Sequence, residues 1–83
     1  MMKKILYFSA NYCQPCKTLG PVMESLQGQI NYEKIDVEND TILPAKFGVR
    51  SIPTLILIDE NGETAKRTVG IQTKEQILNF YNG

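Results

Sequence analysis

The spacing of apolar positions changes period several times along the chain, and each change marks an expected element. Residues 5–9 form a continuous apolar and aromatic run, the pattern of a strand buried on both faces in the middle of a sheet. From Cys13 onward Cys16, Leu19, Met23 and Leu26 recur at helical spacing, so a helix is expected to begin at the cysteines. Pro21 is expected to kink it, because proline lacks an amide donor and clashes with the preceding turn; Gly28 is the expected stop. Residues 31–37 alternate, Ile35 and Val37 on one face and Tyr32 and Lys34 on the other, in the two-residue period of a strand. Asn39 or Asp40 is expected to cap a short helix that Pro44 compromises and Gly48 ends. Leu55 to Ile58 reads as a central strand with Pro53 tolerated only at its start. Asn61-Gly62 then signals a hairpin, and the polar run with Lys66 and Arg67 reads as an edge strand. Thr73 and Gln76 have the spacing of a capping box before a last helix with Ile77, Leu78 and Tyr81 as its apolar face.

The order β-α-β-α-β-β-α predicts an α/β fold, with a parallel first half, an antiparallel hairpin, and three helices covering a mixed four-stranded sheet. At 83 residues the chain is expected to be a single domain, residues 1–83, because so short a chain builds one core. The nine basic and nine acidic residues cancel and are scattered, which leaves no electrostatic footprint for nucleic acid. Two lysines precede an apolar run at the N-terminus, but that run is shorter than the ~7–15 residues of a signal-peptide core. No segment approaches the ~20 apolar residues of a membrane span. A cytoplasmic monomer with no membrane partner is therefore expected.

Cys13 and Cys16 are the only cysteines, and there is no histidine. In a cytosolic chain such a close pair points to catalysis or metal binding rather than a structural staple. Zinc takes about four ligands, mostly Cys and His, so this chain cannot close a site alone and no metal is expected. A redox dithiol is the leading reading, with inert thiols or half of an intersubunit metal site as the bland ones.

Three landmarks then carry a resemblance. They are Cys13-Gln14-Pro15-Cys16-Lys17 with Pro21 beyond it, Gly48-Val49-Arg50-Ser51-Ile52-Pro53-Thr54-Leu55, and Val69-Gly70 before the last helix. Together they make the chain similar to the thioredoxin family. The resemblance implies a minimal thioredoxin-like fold of glutaredoxin-like length, lacking the N-terminal strand and helix of full-length thioredoxins. Glutaredoxins typically carry Pro-Tyr between the cysteines, Val before the cis-proline and a Gly-Gly pair after the last strand. Here those positions read Gln14-Pro15, Ile52 and Gly70-Ile71, so the local chemistry sides with thioredoxin.

The activity implied is thiol-disulfide exchange that reduces protein disulfides, with Cys13 as nucleophile and Cys16 as resolving thiol. A free thiol with a pKa of ~8.5 is only a few per cent ionised at neutral pH. Lowering it to about 7, the value for thioredoxin, takes about 2 kcal/mol. A helix terminus supplies ~0.3–1 kcal/mol of that, so hydrogen bonds must supply the rest. Pro15 is expected to stiffen the first turn, and the Gln14-Pro15 dipeptide to tune the redox potential. By resemblance Pro53 is cis, bringing the Ile52 backbone beside Cys13 for an extended substrate, with Tyr12, Ile52 and Gly70 forming a flat apolar patch. Tyr12 stands where the family usually has tryptophan.

The clearest departure is Tyr7, at a position where thioredoxins usually bury an aspartate that handles the resolving thiol's proton. Without it, Cys16 is expected to deprotonate through water or with help from Lys34 or Tyr7. No bound cofactor is implied beyond the redox-active disulfide itself. Electrons are expected from an NADPH-dependent thioredoxin reductase. The alternatives are a glutaredoxin-like enzyme reduced by glutathione, and a non-catalytic interaction module on the same fold.

Overall fold

The computed structural model describes residues 3–83, so readings that fall on Met1 and Met2 lie outside the described residues. In order along the chain stand β1 (Lys4–Ser9), α1 (Gln14–Ser25), β2 (Tyr32–Asp36), α2 (Ile42–Lys46), β3 (Thr54–Ile58), β4 (Thr64–Val69) and α3 (Lys74–Asn82). They form one four-stranded sheet in the order β2-β1-β3-β4. β1 runs parallel to β2, with Ile5 opposite Tyr32 and Ser9 opposite Asp36. β3 runs antiparallel to β1 and to β4. The two apolar runs are thus the inner strands, and the two polar ones are the edges.

Each inner strand feeds two cores. Ile5, Tyr7, Leu55 and Leu57 pack with Leu19, Met23 and Leu26, and with Ile77 of α3. Leu6, Phe8 and Ile56 face the other way and pack with Ile35, and with Leu43, Phe47 and Val49 from α2 and the segment after it. This double burial explains why β1 and β3 read as continuous apolar runs rather than alternating ones. Each fully buried large aliphatic side chain contributes ~1.5–3 kcal/mol, so both faces are needed to hold the sheet.

Local chemistry sets the ends of the helices. Asp40, not Asn39, caps α2: its Oδ1 accepts from the amides of Ile42 at 3.0 Å and Leu43 at 3.1 Å. Asn39 turns its amide to Asp36 instead. The α3 capping box is complete, with Gln76 N–H donating to Thr73 Oγ1 at 3.1 Å and Thr73 N–H to Gln76 Oε1 at 2.8 Å. α1 ends three residues before Gly28, because fully buried Leu26 turns inward as its C-cap. Gly28 serves the turn that follows, at φ +88. The hairpin is wider than a two-residue turn: Asp59 Oδ1 accepts from the amides of Asn61 and Glu63 at 2.8 and 3.0 Å, and only Gly62 takes a positive φ there.

Candidate active site

Cys13 follows directly on the loop that leaves central strand β1. Its amide donates to the Ala10 carbonyl at 3.3 Å, and its extended backbone makes it the N-cap of α1. The cap acceptor is its own sulfur, which receives the Cys16 amide at 3.2 Å. N-cap positions favour side chains that accept from the first-turn amides, and here a sulfur fills that place. Gln14 and Pro15 occupy the first two helical positions, exposed, where proline forfeits no needed donor. Cys13 and Cys16 are joined as a disulfide with Cα atoms 5.2 Å apart. Cys13 is 8% exposed and Cys16 3%, so the first is the more accessible.

The facing wall is the turn into β3. The Ile52-Pro53 bond is cis, Pro53 is buried, and half-buried Ile52 packs against the cysteine pair. The Cys13 sulfur stands 3.7 Å from the Ile52 carbonyl oxygen. Gly70 is tied to the same turn, its amide donating to the Pro53 carbonyl at 2.9 Å. Tyr12 is 70% exposed, and so to lesser degrees are Val69 at 54% and Ile71 at 52%. The apolar rim near the cysteines is therefore broader than Tyr12, Ile52 and Gly70 alone. The added residues flank Gly70 in sequence, and their outward placement follows from the edge position of β4, which composition does not reveal.

On the inner side, Tyr7 is fully buried in the α1-facing core. Its hydroxyl donates to the Cys16 carbonyl at 3.3 Å, touching the backbone of that residue rather than its sulfur. Lys34 lines a cleft of about 250 Å³ whose walls also include Cys16 and Glu24. Tyr32, two residues before Lys34 on β2, has its phenol pushed above its usual 10.0 by burial, then by the nearby Glu24 carboxylate and the Tyr7 phenol. Sequence reasoning passed over Glu24 and Gly20, although both lie on the Cys16 stripe at intervals of four residues. It also passed over Val37, which packs against the cysteine pair, and Glu38, whose carboxylate accepts the Asn11 amide at 3.4 Å. Among the described residues, no group of His, Cys, Asp and Glu is arranged to hold a metal ion. No helix among them is long and apolar enough to cross a membrane.

The thioredoxin family model matches residues 2–82. The chain belongs to the thioredoxin family. It is 43% identical to the thioredoxin of Haemophilus influenzae over 82 residues, 94% of this chain and 76% of that protein. Over 74 residues it is 43% identical to the thioredoxin of Staphylococcus saprophyticus, covering 84% and 70% of the two chains. Among solved structures, a point-mutant thioredoxin from Halobacterium salinarum superposes with a TM-score of 0.87 at 34% identity, covering 95% of this chain and 71% of that one. A malarial protein is matched over 100% of both chains with a TM-score of 0.84 at 27% identity. The family and the paired cysteines make this chain a thiol-disulfide oxidoreductase, acting on disulfides of proteins.

Proposed function

We propose that this thioredoxin-family protein reduces protein disulfides with Cys13 as the attacking thiolate and Cys16 as the resolving thiol. The observation that carries the reading is the hydrogen bond that the Cys16 backbone amide donates to the Cys13 sulfur at the start of α1. A hydrogen bond to a charged acceptor is worth ~1.5–3 kcal/mol. Added to ~0.3–1 kcal/mol from the helix terminus, it covers the ~2 kcal/mol needed to ionise the thiol near neutral pH. Among the described residues Cys16 has no such donor at its sulfur, and it is the more buried of the two.

In the reaction, the Cys13 thiolate attacks one sulfur of the substrate disulfide and expels the other as a thiolate. Cys16 then attacks Cys13, forming the intramolecular disulfide and releasing the second substrate thiol. Ile52, beside the cis-Pro53 bond, offers its backbone to an extended substrate, and Tyr12 and Gly70 belong to the apolar rim that receives it. Gln14 and Pro15 set the potential of the couple through the first helical turn. The oxidised protein is returned to the dithiol by an NADPH-dependent thioredoxin reductase. The glutathione-dependent reading has less support, since Gly70-Ile71 stands where a Gly-Gly pair would be.

Two serine variants test the assignment. Cys16→Ser is expected to accumulate a mixed disulfide with a protein substrate, visible by mass spectrometry, whereas Cys13→Ser is expected to form none. The reverse outcome would exchange the roles. A redox titration giving about −270 mV supports a reductant, and one nearer about −120 mV an oxidant.

A further inference from the structure

The geometry points to Glu24 as the group that, through water in the cleft it shares with Cys16 and Lys34, takes up the proton of the resolving thiol. This inference rests on the proposed roles of Cys13 and Cys16 and adds the destination of the second proton. Attack by Cys16 requires its thiolate, and a buried thiol needs an acceptor within reach of a proton path. β1 offers none at its sulfur, because Tyr7 fills the core and its hydroxyl donates to the Cys16 backbone carbonyl.

The cleft beside Cys16 supplies a route. At about 250 Å³ it has room for several waters, each occupying about 30 Å³ in the liquid. Its walls are polar enough to hold them, with Asn11, Lys17 and Lys34 contributing, and its one carboxylate is Glu24. Cys16, Gly20 and Glu24 follow one another at four-residue intervals, which places them on one face of α1. Eight residues at 1.5 Å each separate the Cys16 and Glu24 backbones by about 12 Å, and helical side chains lean toward the N-terminus, so Glu24 reaches back toward Cys16. Between them Gly20 presents no side chain, and even an added Cβ would meet only the Tyr7 hydroxyl, at 3.9 Å. The gap over Gly20 keeps the route open.

The charged and titratable groups around Glu24 are Lys34 of β2 and Lys17 of α1, which line the same cleft, and Tyr32 of β2, whose ring lies 6.5 Å from that of Tyr7. The Tyr32 phenol, which registers the Glu24 charge, places that carboxylate within electrostatic reach of the strand carrying Lys34. Neither Glu24 nor Lys34 is engaged in an ion pair among the described residues. Lys34 stabilises the transient anion on either side of the transfer.

The Cys16 proton passes through water to the Glu24 carboxylate, and the Cys16 sulfur attacks the Cys13 sulfur of the mixed disulfide. The Cys13–Cys16 bond forms as the Cys13–substrate bond breaks, the substrate leaves as a thiolate carrying the electron pair, and the proton returns to it or to solvent.

Rapid mixing of the reduced protein with a symmetrical chromogenic aryl disulfide separates the two steps, since Cys13 releases one coloured thiolate and Cys16 the second. Glu24→Gln, at an exposed position that tolerates the change, is expected to leave the first release unaltered. It is expected to slow the second about tenfold near neutral pH, less than the ~10²–10⁴ of a directly bonded base because water intervenes. The pH midpoint of the second release should rise, with rates converging near about pH 9, where an ordinary thiol ionises unaided. Glu24→Asp should restore part of the rate. A second release in Glu24→Gln that follows the wild-type profile at every pH overturns the inference. Loss of the first release in the wild type would instead overturn the role given to Cys13.

Discussion

Tyr7 shows how one side chain can occupy a site position while serving the core. Its ring lies in the cluster with Leu19, Met23 and Leu55, and its hydroxyl ties β1 to the first turn of α1 through the Cys16 carbonyl. Removing that hydroxyl in Tyr7→Phe is expected to cost about 1 kcal/mol, read as a lower urea midpoint with an unchanged slope. Installing a carboxylate there is a different experiment. Tyr7→Asp leaves an aromatic-sized cavity and buries a group without a partner, so a loss above about 3 kcal/mol is expected. If Tyr7→Asp unfolds at the wild-type midpoint, position 7 is not core. The sequence shows that an aspartate is missing from β1, but not that the tyrosine has closed the space around it, because that depends on α1 and β3 packing over the strand.

At the scale of elements, the legible features were those whose causes lie within a few residues. The α3 capping box is one, since Thr73 and Gln76 meet across a single turn. A helix of nine residues is marginal alone, so its cap and its docking through Ile77 decide whether it forms. Its other end is held from outside: Lys66 on β4 donates to the carbonyls of Phe80 at 3.2 Å and Gly83 at 2.9 Å. Thr73→Ala is expected to lose about 1 kcal/mol, with amide exchange in the first turn of α3 accelerating more than in β1. Equal acceleration everywhere would mean that the cap acts only through global stability. Less legible were the end of α1 and the width of the hairpin. Leu26 ends the helix because the core claims it, and Asp59 widens the loop by drawing two amides onto one oxygen; both outcomes depend on competition that spacing alone does not reveal.

Across the whole molecule, the strand and helix order was readable because β1 and β3 are apolar on both faces while β2 and β4 are not. The cysteine loop, Ile52 and Pro53 were readable as motifs. The cleft was not, because its walls come from β1, α1 and β2 and only the parallel β1–β2 pairing brings Lys34 alongside the helix. The sulfur that caps α1 has a further consequence for a chain whose nine cationic and nine anionic side chains cancel. As a disulfide that cap is neutral; as a reduced Cys13 thiolate it carries one negative charge. Oxidation state is thereby written on the surface as electrophoretic mobility. Near about pH 7.5 the dithiol form is expected to migrate faster toward the anode than the disulfide form on native gel electrophoresis, with the difference abolished in Cys13→Ser. A partner surface with a single well-placed cation could use the same difference to bind one redox form in preference to the other.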